Sequence, residues 1–324
     1  MVAYSLRRLA ISIPVLMAST FVVFIMVSMS GDPLTDLRAR NPQPPARVLR
    51  GLERKLRLDE PLLERYWHWL GDLVRGDLGP TRQDLDLPQV VATRFGVTFR
   101  LVAAAMLIAV LMAVVVGVVS AVRQYTATDY SFTFVGFLFL AIPTFWFAIL
   151  LKQGAISFNN RFGDGDQIFY TIGEKSVIPS GPMWSDILGH MILPTLVLAM
   201  TSFAAWSRFQ RASMLEVLNS DYVRLARAKG LSNRRVMVRH ALRTALIPLT
   251  TVTALDLGAI IGGAVITETV FQWQGAGRLL IESISQREVY AVLAWLLVSG
   301  VTIIVFNLIA DLLYAVLDPR IRYE

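Results

Sequence analysis

Long apolar runs, broken by short polar ones, set the organisation of this chain. Leu9–Met29 carries no charge over 21 residues, Leu101–Val122 none over 22 and Ser131–Leu151 none over 21. Ile187–Ser207 carries only His190, and Ala245–Thr267 only Asp256. Val289–Ala310 is uncharged for 22 residues, and its pattern runs on past Asp311 to Val316. At about 1.5 Å per helical residue, each run is long enough to cross a hydrocarbon layer about 30 Å thick. The pattern predicts an all-α integral membrane protein with six transmembrane helices. Its parts are a first span plus insert over 1–93, a membrane domain over 94–316 and a tail over 317–324.

The cations give the spans a direction. Arg7 and Arg8 precede the first run, Arg320 and Arg322 follow the last, and a basic segment lies between the fourth and fifth. Translocating Lys and Arg is disfavoured, so all three sites belong on the cytoplasmic side of a cell membrane, with both termini inside. Segment 31–97 then falls outside. Its arginines are mixed with acids, and long segments translocate largely regardless of charge. A cleaved signal peptide is the alternative for the first run, with Ser28-Met29-Ser30 as its processing site. Its apolar stretch exceeds the usual length, which favours an uncleaved span.

The outer insert has its own pattern. Asn41-Pro42-Gln43-Pro44-Pro45 reads as an extended linker. After it, Val48, Leu49, Leu52 and Leu56, then Leu62, Leu63, Tyr66, Trp67, Leu70, Leu73 and Val74, recur at helical spacing. Two short amphipathic helices are expected, with Tyr66, Trp67 and Trp69 at the lipid interface or against a partner. A second outer loop, Phe158–Ser185, is rich in Gly, Asp and Pro. Asp164-Gly165-Asp166 hints at a calcium loop, but the full spacing is missing and a solvated turn is expected.

The most informative stretch is 208–243, which holds nine of the 31 Lys and Arg. Within it, Asp221, Tyr222, Arg224, Ala226, Arg227, Ala228, Lys229, Gly230 and Leu231 form a small, glycine-stopped helical surface. Gly230 is a natural C-cap, because Gly enters the left-handed region without a Cβ penalty. Lys229 complements the end of the helix dipole. Ala226 and Ala228 leave room for close approach. The pattern suits docking into a groove of a cytoplasmic partner; the alternative is a basic helix lying on anionic lipid.

Composition narrows the chemistry. The chain is 55% hydrophobic, has a mean hydropathy of +0.54 and a net charge of +7. Much of that charge sits in the segments placed inside, so no nucleic-acid partner is expected. There is no cysteine, which removes disulfides, thiolate metal sites and cysteine nucleophiles. No phosphate-cradling G-x-x-x-x-G-K-[ST] occurs, nor G-x-S-x-G or H-E-x-x-H. Hence no catalytic residue, metal or cofactor is expected, and any nucleotide would be bound by a partner. The intramembrane ionisable set is sparse: His190, Asp256, Glu268 and Asp311. Ionised groups at membrane depth face a bundle interior or an aqueous path, so Asp256 and Glu268 are candidates for a translocation path. Gly258 and Gly262, spaced for close packing, place Asp256 about 200° away from their stripe. A structural hydrogen bond from Asp256 to a Thr or Asn on another span is the alternative.

These residues resemble a known family. D-Y-V-R-L-A-R-A-K-G-L-S (Asp221–Ser232), R-H-A-L-R-T-A-L-I-P (Arg239–Pro248), I-T-E-T-V-F (Ile266–Phe271), G-A-G-R-L-L (Gly275–Leu280) and L-D-P-R-I-R (Leu317–Arg322) are similar to permeases of binding-protein-dependent ABC importers, in their oligopeptide/dipeptide form. Leu56–Leu62 and Trp69–Gly79 resemble the outer insert of the first of two peptide permease subunits. The resemblance implies a type I importer permease fold with an extracytoplasmic insert between helices 1 and 2. It also implies a second homologous permease, two cytoplasmic ATPases, an external solute-binding protein, and a coupling helix at 221–232. The family's Glu-Ala-Ala is Arg224-Leu225-Ala226 here, so no acidic contact carries over to Arg224. Nickel chelates or glutathione remain alternative cargoes, and a self-standing channel is the alternative class.

Overall fold

The computed structural model describes residues 2–163, 167–179 and 181–317, except for the side chains at 2–5, 259, 262, 263 and 313–317. Asp164, Gly165, Asp166 and the tail arginines Arg320 and Arg322 lie outside the described residues. Among those described, all regular structure is helical. The helices are α1 (Val2–Met29), α2 (Thr35–Arg38), α3 (Ala46–Lys55), α4 (Leu62–Val74), α5 (Leu87–Val122), α6 (Ala127–Ala141) and α7 (Thr144–Phe162). They continue with α8 (Met183–Leu218), α9 (Asp221–Ala228), α10 (Asn233–Arg235), a π-helical segment (Val236–Leu242), α11 (Arg243–Phe271), α12 (Ala276–Ser285) and α13 (Val289–Leu317). Pro45, Pro61, Pro143 and Pro182 stand immediately before α3, α4, α7 and α8. A helix start suits proline, whose missing N–H would have had no intrahelical acceptor there.

Among the described residues, four helices are long and apolar enough to cross a membrane: Leu6–Met29, Leu87–Val122, Met183–Leu218 and Val289–Leu312. The expected third span is not one straight helix. α6 and α7 meet at 105° and together make a fifth candidate. The cause is Pro143. It pushes Ile142 out of the helical region, to φ −79 and ψ 123, because a residue before proline clashes there. The expected fifth run, 245–267, lies in α11, a single helix of 29 residues.

The chain forms two compact units. One contains Val2–Thr98 and Gln274–Ile304. Its core gathers Phe24, Leu34, Leu56, Trp69 and Leu293. Both expected amphipathic helices are present as α3 and α4, but Tyr66 and Trp69 turn into the core instead of reaching an interface or a partner. Tyr66 is 4% and Trp69 1% exposed; only Trp67, at 64%, faces outward. The Tyr66 hydroxyl donates to the Met17 carbonyl and lies 2.9 Å from the Thr20 hydroxyl. The Trp69 indole donates to the Leu78 carbonyl at 3.0 Å. Buried aromatic rings carry a polar handle that needs such a partner. Gly79 sits at φ +105, with the Tyr290 ring only 2.8 Å from where a Cβ would be. Both its conformation and its neighbour therefore demand glycine. Arg82 ties the unit's two chain segments, donating to Glu288 and Gln286 and to the Pro33 carbonyl.

The other unit contains Phe99–Trp273 and, among the described residues, the chain from Val305 to Leu317. α11 packs chiefly on α8, and α6 and α7 also pack on α8. The described part of the loop after α7 is pinned by side chains. Asn159 exchanges two hydrogen bonds with the backbone of Phe169. Tyr170 stacks on His190 at 4.0 Å, and Asp186 accepts from the Ser176 amide and hydroxyl.

Candidate functional site

The basic segment 208–243 begins as helix rather than loop. α8 runs on to Leu218, eleven residues past the end of the apolar run at Ser207. Two of its cations meet side chains of α6. Arg208 lies over the Phe137 ring at 4.5 Å. Arg211 donates through two guanidinium nitrogens to Asp129, each at 2.8 Å. Asp129 is 2% exposed. Its carboxylate also meets the Ser120 hydroxyl and accepts the Tyr125 amide at 3.0 Å. A buried carboxylate is tolerable when its lone pairs are filled in this way. The pair locks the first turn of α6 to α8.

Beyond Asn219 and Ser220 the chain turns into α9. Val223 and Ala226 on its inner side join a core with Met214, Val236, Ala241 and Ala245. The helix ends as the sequence implies. Gly230 has φ 75; its amide donates to the Arg227 carbonyl at 2.9 Å, and the Leu231 amide to the Ala226 carbonyl at 3.4 Å. That is the double bond of a Schellman cap, with Leu231 packing on the same core as Ala226. A Cβ on Gly230 would meet nothing within 4 Å, so the conformation alone calls for glycine.

The remaining site residues divide by face. Ala226, 6% exposed, belongs to the inner core, which corrects the expectation that it offers room to a partner. Asp221, Tyr222, Arg224, Arg227, Ala228, Lys229 and Gly230 are exposed. So is Leu225, at 55%, beside Tyr222 at 44%. Leu225 was missed, although the Tyr222/Leu225 spacing of three was visible. Asp221 and Arg224 stand 3.8 Å apart in full solvent, a geometry that contributes little. The exposed face is thus two apolar side chains within a ring of charge.

After α10 the backbone winds as a π-helix over Val236–Leu242. Val236 and Ala241, five apart, are both buried. The wider i→i+5 turn brings residues at that spacing onto one side. The segment delivers the chain into α11, where Ser213 of α8 donates to the Ala245 carbonyl at 3.0 Å.

Further along α11, Asp256 accepts the indole N–H of Trp206 at 2.7 Å. Its partner is therefore a tryptophan of α8, not a Thr or Asn. Asp256 also borders a cleft of about 260 Å³, with Thr144, Thr201, Ser202 and Ile260 among the other walls. Gly258 is partly buried, and the Gly262 side of the expected stripe lies outside the described residues. Glu268 is fully buried, so in this conformation it presents nothing to an open path.

A family model, the binding-protein-dependent transport system inner membrane component, matches residues 113–323. The chain belongs to that family. Among curated relatives, the oligopeptide transport system permease protein OppB of Mycobacterium tuberculosis is 38% identical over 99% of both chains. The oligopeptide transport system permease protein AppB of Bacillus subtilis is 37% identical over the whole of both. The dipeptide transport system permease protein DppB of Escherichia coli is 33% identical, again over the whole of both. Among solved structures, the inward-facing MetNI methionine ABC transporter aligns with a TM-score of 0.52 at 14% identity, covering 71% of this chain and 97% of that one. This member of the family is thus an integral membrane permease component, and it shares its helical fold with an ABC importer. The family match covers the α9 surface, the π-helical segment and the Asp256 cleft.

Proposed function

We propose that this chain is one of two homologous permease subunits of an ATP-driven importer for oligopeptides or dipeptides. The names of its full-length relatives support the cargo. The chain holds six spans with both termini in the cytoplasm. An external solute-binding protein delivers the peptide, and two cytoplasmic ATPases supply the work. The chain itself hydrolyses nothing.

The observation that carries the reading is the α9 platform. Its inner face is fixed to the core by Val223 and Ala226, while Tyr222, Leu225, Arg224, Arg227, Ala228 and Lys229 are presented outward. Exposed apolar side chains rimmed by charge mark protein contacts. A helix capped at Gly230 and packed on α8 and the π-helical segment passes force from an ATPase into the spans. The Asp256 cleft is the polar opening along the peptide's route, with Trp206 holding the carboxylate in place.

The test is peptide uptake into proteoliposomes holding the complete importer. Tyr222→Ala with Leu225→Ala should lower uptake at least tenfold, with the permease pair still assembled. In the same assay, Asp256→Asn should change the preference among cationic, neutral and anionic peptides. Normal uptake by the double variant would exclude α9 as the coupling element, and uptake or ion flux without ATP would exclude the importer.

A further inference from the structure

The cleft beside Asp256 lies within the unit that holds Phe99–Trp273, between the first turn of α7, the middle of α8 and α11. Its reachable polar groups are few. Thr144, Thr201, Ser202 and Asp256 are each partly exposed, and Asp256 is the one charged residue on the lining. The other walls, Ala205 among them, are apolar or aromatic. At about 260 Å³ the cleft is smaller than the usual small-molecule pocket, so it suits one end or one side group of a larger ligand.

These polar groups divide into engaged and free. Trp206 is fully buried and donates its indole N–H to one Asp256 oxygen at 2.7 Å, so it fixes the carboxylate from the protein side. The other Asp256 oxygen has no hydrogen bond or ion pair among the described residues, and it is not sealed from solvent. The Thr201 hydroxyl donates its proton to the Leu198 carbonyl at 2.9 Å, which leaves its oxygen to accept. The hydroxyls of Thr144 and Ser202 are reachable and make no hydrogen bond among the described residues.

All of the free groups can accept a hydrogen bond, and none is a cation. Asp256 stands near the middle of an otherwise uncharged run of α11, and a carboxylate without a counter-charge is unfavourable at such a depth. The counter-charge must then come from outside the chain, and the acceptors select its kind. An ammonium carries three N–H donors on one atom, which match one carboxylate oxygen and a set of hydroxyls. A guanidinium takes both oxygens of a carboxylate with its planar fork, and here one oxygen is already engaged by Trp206.

We infer that the Asp256 cleft binds a primary ammonium group, carried by the free N-terminus of a peptide or by a lysine side chain. The inference rests on the importer reading for its cargo; the preference for an ammonium over a guanidinium or a blocked terminus follows from the acceptors themselves.

The chain has no cysteine, so Ala205→Cys places a single thiol on the lining. The experiment holds the full chain with this change in lipid nanodiscs, without ATPases or binding protein, and times alkylation of the thiol by iodoacetamide. Protection is the ratio of rates without and with a probe, taken separately for each variant. L-alanyl-L-alanine offers a terminal ammonium, and Nα-acetyl-L-lysine amide a side-chain one. At least one of them should slow alkylation threefold or more, and whichever does so identifies the source. N-acetyl-L-alanyl-L-alanine and Nα-acetyl-L-arginine amide should leave the rate unchanged. Asp256→Asn should abolish the protection, and Ser202→Ala should weaken it severalfold. Protection by neither ammonium probe, equal protection by the acetylated dipeptide or the guanidinium probe, or protection that survives Asp256→Asn would each overturn the proposal. Uptake is not measured, so failure here and failure of the importer reading are told apart.

Discussion

α4 and α9 are both short amphipathic helices outside the long apolar runs, and they use their apolar residues in opposite ways. α4 turns Tyr66 and Trp69 inward, seals both polar handles and leaves Trp67 outside. α9 turns only Val223 and Ala226 inward and leaves Tyr222 and Leu225 outside. Burial of two large aromatic rings contributes more than burial of a valine and an alanine. α4 is therefore held by its side chains. α9 has only a small inner face, and its ends add to the hold: the Schellman cap on one side and the short connection from α8 on the other. A helix held by two small side chains and its ends leaves its largest side chains free for a partner.

Three substitutions separate these two modes. Trp69→Ala should have the largest effect, a loss of about 3–5 kcal/mol, because it leaves a void in a closed core. Thermal unfolding of the detergent-purified chain would register it, and a loss near zero would mean that α4 is not held by its inward face. Gly230→Ala should be intermediate. The added methyl has open space, so the expected loss is about 1–2 kcal/mol from the left-handed backbone alone. It should appear as faster amide exchange over 221–231; unchanged exchange would show that the cap does not hold α9. Trp67→Ala should be smallest, within about 0.5 kcal/mol as for most surface changes. A larger loss in the same unfolding assay would erase the contrast between the two faces of α4.

Much of this architecture could be read from the chain. The apolar runs located α1, α5, α8 and α13, helical spacing located α3 and α4, and Gly230 marked the end of α9. What escaped depends on neighbours rather than on local pattern. Which side of α4 or α9 turns inward is decided by what it packs against, so Trp69 and Ala226 were assigned to the wrong face. Arg211 looked like a solvated cation of a basic segment; Asp129, some eighty residues earlier, is what draws it in. The break between α6 and α7 was announced by Pro143, but the uncharged run across it masked the signal. The four-residue α2 was too brief to show a period, and the stretch that forms α12 was read only for its G-A-G-R-L-L motif. The π-helical segment had only the five-residue spacing of Val236 and Ala241, which an α-helical template does not recognise.

That π-helical segment sets a phase. It stands between the α9 surface and the Asp256 carboxylate, and its extra backbone per turn fixes the angle at which α11 departs. Removing one residue from 236–242 would let the backbone tighten toward an ordinary helix, whose turn closes with about one residue fewer, so α11 beyond it would keep nearly its angle. The α-helical stretch between Arg243 and Asp256 has no such slack: removing one residue there would turn everything beyond by about 100° and draw it in by about 1.5 Å. Asp256 would then swing away from the Trp206 indole, although both residues would remain. The π-helical segment is thus a one-residue reserve of length, the place along this path where a deletion can be absorbed.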